Sequence, residues 1–218
     1  STYEEFPLTV LDVGANDGLH KRWESCERHL NVVGFEPDQE AYEKLETQNS
    51  TNGHAKFLNV ALSNVHEEME FYNTRRAGCS SLLRPNLEFL SSFPDVDRFD
   101  VLSSTKIAVT TLDKALDDAQ LVDADFLKVD TQGTALFVLQ GGVETLRNSI
   151  FGVEVEAEFV EIYQGQPLFA EVDQFLRQMG FALFDIWTFH WKRKAALGAG
   201  GRKGQMIFAD ALYFKTPN

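Results

Sequence analysis

Apolar and polar residues come in alternating blocks along the first two-thirds of the chain, short β-branched runs followed by stretches of helical spacing. That order predicts parallel strands joined by helical crossovers, because a strand re-entering a sheet in the same direction needs a long connection. Strands are expected near 8–13, 31–36, 56–61, 125–130 and 150–156, and helices near 20–29, 38–49, 134–147 and 168–179. Asp38, after Pro37, suits an N-cap for the second helix, and Gly53 falls beyond its end. Leu168, Phe169, Val172, Phe175, Leu176 and Met179 recur at helical spacing and read first as a core-packing face. Residues 66–112 break the alternation: a strand at 68–73, a Ser/Pro/Asp-rich stretch from Gly78 to Ser104, then a strand around Ile107 to Thr111. Such a length suits a lid or a substrate contact better than a plain connection. Phe181–Phe189 and Gln205–Phe214 read as two strands of an antiparallel hairpin around a basic, glycine-rich loop at about 192–204.

With 218 residues, 44% of them hydrophobic and 18 of them Phe, the chain reads as one α/β domain over 1–218. The stretch 66–112 is an insertion in it and 192–204 a flexible loop. No apolar run approaches the roughly 18 residues of a spanning helix, so no membrane partner is expected. The N-terminus lacks the order of a signal peptide, and Cys26 and Cys79 form no framework, which together suit reduced thiols in the cytoplasm. A formal net charge of −13 argues against nucleic acid and favours a neutral or cationic small ligand. The basic cluster at Lys192, Arg193, Lys194, Arg202 and Lys203 reads as a surface loop or a grip for an anionic substituent. Composition leaves the oligomeric state open, a homodimer among the options.

Candidate chemistry begins at residues 8–18, where an apolar run ends in Asp12 and breaks into Gly14-Ala-Asn16-Asp17-Gly18. Glu36 closes the second apolar run, eighteen residues after Gly18, about where dinucleotide-type folds place the acid that holds a ribose. The loop lacks the Gly-x-Gly-x-x-Gly of a pyrophosphate site and carries acids instead. Acids suit a ligand with a cationic sulfonium and ammonium, and S-adenosylmethionine has both. Ala61, Leu62 and Ser63 would line an adenine edge, Pro37 would flank the ribose acid, and Asp130 would complete the crevice at the carboxyl edge of the sheet.

With these segments the chain resembles the FkbM-family methyltransferases: Asp12-Val-Gly-Ala-Asn-Asp-Gly18, Phe35-Glu-Pro-Asp38, Val60-Ala-Leu-Ser63, Ser80-Ser-Leu82, Thr111-Leu-Asp113, Leu127-Lys-Val-Asp130-Thr-Gln-Gly133 and Val138-Leu-Gln-Gly-Gly142 follow in family order. The resemblance implies a Rossmann-like class I methyltransferase fold: a mostly parallel seven-stranded sheet with one antiparallel strand and helices on both faces. It also implies O-methylation of a small molecule or a sugar. Where the family often reads Asp-x-Glu-Gly-x-Glu, this chain has Gln132 and Ala135, so a role tied to the last acid does not apply.

Methyl transfer needs the acceptor hydroxyl aligned and its proton removed. Candidate bases are Asp130, the acids Glu154, Glu156 and Glu158, and His190; Glu154 and Glu156, at period-two spacing, share one face of a strand. Trp187, Phe189 and Trp191 read either as a sugar-stacking platform or as strand core. Asp130 with Glu154 or Glu156 could hold Mg²⁺, but no ligand spacing demands a metal, and none is expected. Two competing readings are a SAM-binding sensor or accessory protein without turnover, and a nicotinamide-dependent oxidoreductase. The first is kept open by Ala135; the second is disfavoured by the missing phosphate-binding glycines.

Overall fold

The computed structural model describes residues 7–16, 18, 23, 25–49, 53–121, 123–198 and 204–216. Asp17, residues 20–22 and 24 of the expected helix 20–29, and 199–203 of the basic loop lie outside the described residues; in the span of that expected helix, the described residues form turns and a 3-10 helix at Glu27–His29 rather than an α-helix. In chain order the main elements are strands β1 (Leu8–Val13) and β2 (Leu30–Phe35), helix α1 (Gln39–Gln48), and strands β3 (Ala55–Leu58), β4 (Ala61–Leu62) and β5 (Glu67–Thr74). A short helix α2 (Leu87–Leu90), strand β6 (Val101–Thr110), helix α3 (Leu112–Asp118) and strand β7 (Phe126–Val129) follow. Helices α4 (Ala135–Gln140) and α5 (Val143–Asn148), strand β8 (Gly152–Glu158), helix α6 (Phe169–Gln178) and the long strands β9 (Phe181–Trp191) and β10 (Gln205–Lys215) complete the list.

Seven strands form one sheet in the order β3-β2-β1-β7-β8-β10-β9. The first five run parallel, and β10 is antiparallel to both β8 and β9, so a single strand opposes the rest. The sheet faces follow from period-two alternation. Leu11, Val13, Leu127, Val129, Val153 and Val155 face the apolar sides of α3, α4, α5 and α6. On the opposite face Val10, Val32 and Phe126 form a second layer, and α1 packs Leu45 against Phe57 and Ala15. Toward the carboxyl ends that second face turns polar. The odd positions of β8 remain core, while Glu154, Glu156 and Glu158 occupy the even ones.

Three elements differ from the sequence expectation for reasons that lie far away along the chain. The strand expected at 56–61 stops at Leu58, because the Asn59 amide turns back to donate to the carbonyl oxygens of Glu36 and Pro37. Ala61–Leu62 then pairs with β6 in a separate three-stranded sheet, β4-β6-β5, whose other two strands lie within 66–112. The helix expected over 134–147 is two helices, broken at Gly141-Gly142. There the chain passes so close to β4 that a Cβ on Gly141 would sit 2.2 Å from the Ser63 carbonyl oxygen. Asp113 secures the second helix by accepting from the N–H groups of Glu144 and Thr145 at its first turn. Among the described residues no helix is long and apolar enough to cross a membrane.

Candidate functional site

The order of the large sheet reverses direction at β1, whose neighbours are β2 on one side and β7 on the other, the place where α/β sheets open a crevice at their carboxyl ends. Gly14 sits in it with φ +85°, its N–H donating to the Phe35 carbonyl oxygen at 3.1 Å. A Cβ there would meet the Asp130 carbonyl oxygen at 1.9 Å, so only glycine lets the loop lie between β2 and β7. The result is a cavity of about 530 Å³, within the size range of small-molecule sites.

Gly14, Asn16 and Gly18 form one wall of this cavity, Glu36 and Pro37 the next, and Ala61 and Leu62 a third. Asp130, Gln132 and Lys128 close the far end. The insertion supplies a cover from Phe71 and the segment Ala77–Leu82. It is fastened by Ser81, whose hydroxyl donates to the Gln132 carbonyl oxygen at 2.7 Å and accepts from the Leu83 N–H. Not every expected residue reaches the wall. Ser63 is buried beside it, its N–H donating to the Thr110 carbonyl oxygen. Asp12 is fully buried beneath the loop, where its Oδ1 accepts from Lys128 Nζ at 2.8 Å. Glu154 and Glu156 stand behind Lys128 and Asp130 on β8, and His190 lies on β9 opposite Met206; none of the three lines the cavity. Phe189 stacks on Phe208 at 4.5 Å and Trp191 packs against Phe93, also off the cavity wall, while Trp187 stays 45% exposed.

Glu36 accepts a hydrogen bond from the Asp38 N–H at 2.8 Å, yet burial pushes its carboxyl up to about 7. A carboxylate placed there can accept two ribose hydroxyls and would regain on binding the partners that burial denies it. Gln132 adopts the left-handed backbone at φ +53° and wedges its amide between two acids, donating to Asp130 Oδ1 at 2.9 Å and Glu156 Oε1 at 3.1 Å. A glutamate in its place would bring a third acid with no second donor. The buried Tyr163 hydroxyl has one proton for two acceptors, the Cys79 carbonyl oxygen at 3.0 Å and Gln132 Oε1 at 3.1 Å. Burial, then the charge of Asp130, pushes the Glu156 carboxyl well above the usual range, and burial raises Glu158 to about 8. Asp130 is the acid of this group that borders the cavity. Burial works against the Lys128 ammonium, but Asp12 and Asp130 outweigh it and keep it charged.

Sequence reasoning missed Lys128 as part of this constellation, although its even register in an otherwise apolar strand was a signal. Ser81 was visible only as a member of Ser80-Ser-Leu82, and Tyr163 only as the start of the Tyr163-Gln-Gly-Gln-Pro167 loop at the carboxyl edge, read as an acceptor contact or as packing. Among the described residues no group of three His, Cys, Asp or Glu is arranged to hold a metal ion.

The residues present fit a nucleoside carrying a charged tail: a backbone loop, an acid at the end of the next strand, small apolar residues, and charged groups in the same lining. A model of the methyltransferase FkbM domain matches residues 12–183. The chain is 28% identical over 181 residues to the 2-O-methyltransferase NoeI of Sinorhizobium fredii, covering 79% of this chain and 73% of that protein. The crystal structure of methyltransferase FkbM from Methylobacillus flagellatus superposes with a TM-score of 0.54 over 95% of this chain at 12% identity; the chain spans only 43% of that protein. Magnesium protoporphyrin IX methyltransferase from Synechocystis, solved with bound SAM, superposes at 0.50 over 96% of this chain and 71% of its own, at 7% identity. Those two likenesses concern the fold, while the domain match extends from the first acid of the loop into β9. The chain belongs to the FkbM family of methyltransferases.

Proposed function

We propose that the protein transfers a methyl group from S-adenosylmethionine to a hydroxyl of a small molecule or carbohydrate. The observation that carries this reading is the one cavity lined together by the Gly14 loop, Glu36 and Asp130, with Phe71 and residues 77–82 covering it. When bound, S-adenosylmethionine supplies a methyl on a sulfonium already activated for displacement. What remains for the chain is to place the acceptor and take its proton. Glu36 would hold the ribose, Ala61 and Leu62 would flank the base, and Asp130 would take the acceptor proton, oriented by the Gln132 amide. Neither Glu156 nor Glu158 lines the cavity, so neither is placed to take that proton. The printed activity of the relative NoeI, a 2-O-methyltransferase, supports oxygen as the acceptor atom. Cys26 and Cys79 are both free thiols, which suits a reducing, cytoplasmic setting.

Calorimetric titration with S-adenosylmethionine and with NAD, followed by acceptor screening with labelled methyl donor with and without chelator, tests the proposal. We expect binding of the first ligand only and chelator-resistant label on hydroxylated acceptors. Binding of NAD alone would overturn the reading, and label appearing only on nitrogen would overturn the acceptor class.

A further inference from the structure

The cavity lining carries the acids Glu36, Asp38 and Asp130 and the amides Asn16 and Gln132, and among its described lining residues Lys128 is the one cation. It stands two residues before Asp130 on β7 with its side chain 12% exposed. An ammonium carries three N–H donors. One goes to Asp12 Oδ1, and no second hydrogen-bond acceptor for Lys128 is found among the described residues. Spare donors on a buried cation are unfavourable unless something arrives to accept them. The methyl donor proposed above has an amino-acid tail with two opposite charges, an ammonium and a carboxylate. The cavity offers several groups for the ammonium; for the carboxylate, its described wall offers Lys128.

We propose that Lys128, oriented by Asp12, binds the carboxylate of the amino-acid tail of S-adenosylmethionine; this rests on the cavity being the site of that cofactor. Asp12 becomes a positioning residue, since it is fully buried, does not border the cavity and holds the Lys128 ammonium. That departs from the sequence expectation, in which Asp12 attracts the cationic end directly. The chemistry is a salt link with charge-assisted hydrogen bonds, for which removal of one partner typically costs about 10- to 100-fold in affinity.

The test compares two probes by calorimetry: S-adenosylhomocysteine and its decarboxylated analogue, S-adenosyl-3-thiopropylamine, which keeps the nucleoside and the amine. The wild-type protein should prefer the first by about 10- to 100-fold. In Lys128→Met the preference should shrink to within about threefold, and Lys128→Arg should restore part of it. Equal affinity of the wild type for both probes overturns the Lys128 assignment and leaves the cofactor reading standing; binding of neither overturns the cofactor reading itself. A preference that persists in Lys128→Met also overturns the assignment. Should Lys128→Met not fold, the ¹⁵N-labelled side-chain ammonium of the wild type, assigned by its loss in Lys128→Arg, decides. A shift with S-adenosylhomocysteine and not with the analogue is expected, and the same shift with both overturns the proposal.

Discussion

Glu36 is subject to burial that favours its neutral form and, in the proposed reading, to a ribose that favours its ionised one. Its carboxyl is pushed up to about 7, so in the free protein the proton is lost only as pH rises through that value. Cofactor binding should therefore strengthen as pH rises from 6 to 8, and this dependence should vanish in Glu36→Gln, as calorimetry at several pH values will show. Stability runs the other way. A raised carboxyl contributes stability that is fully present below its unfolded value near 4.5 and is lost as pH rises through about 7. Glu36→Gln, which has no charge to bury, should thus melt close to the wild type at pH 5 and above it at pH 8, while binding the cofactor about tenfold or more weakly. Asp130→Asn addresses the other end of the cavity. It keeps the shape and the contact with Gln132 but removes the proton acceptor, so turnover should fall by about 10²–10⁴ while S-adenosylhomocysteine affinity changes by less than about threefold. Unchanged turnover would place the base elsewhere.

At the scale of elements, the site depends on joints between segments distant in sequence. The break between α4 and α5 is one: Gly141 lies against the Ser63 carbonyl oxygen, beside the Ala61–Leu62 wall. Gly141→Ala should destabilise the fold by about 1–3 kcal/mol in urea titration, and should also weaken cofactor binding because the displaced backbone borders the cavity. Tyr163→Phe tests a second joint. Removing the hydroxyl that reaches both the Cys79 carbonyl oxygen and Gln132 should cost about 1–3 kcal/mol of stability, measured in the same way. These joints explain which elements could be read from local pattern. β1, β2 and the Asp38 cap on α1 follow from alternation and a capping residue, and the structure has them within a residue of the expected places. The break at Gly141-Gly142 was illegible, because the apolar positions keep helical spacing across it while its cause, Ser63, lies far back in the chain.

Across the whole molecule, the parallel sheet and its final hairpin were legible because alternating blocks leave few other ways to bury both faces. The acids at the strand ends followed from that, and Gly14, Glu36 and Asp130 do meet in one crevice. What pattern could not show was partnership. Lys128 joins Asp12 across 116 positions, and Ser81 joins Gln132 across 51. Nor does alternation reveal which side of β8 takes the hairpin, and here the later strand of the pair is the inner one. β10 lies between β8 and β9, hydrogen-bonded to both. During synthesis, then, β8 and β9 leave the ribosome with no partner on their facing edges, and the right half of the sheet stays open until residues 205–215 emerge. A nascent chain stalled in that interval presents two long adhesive edges, so exposure to chaperone capture or misassociation is greatest between the emergence of β8 and that of β10.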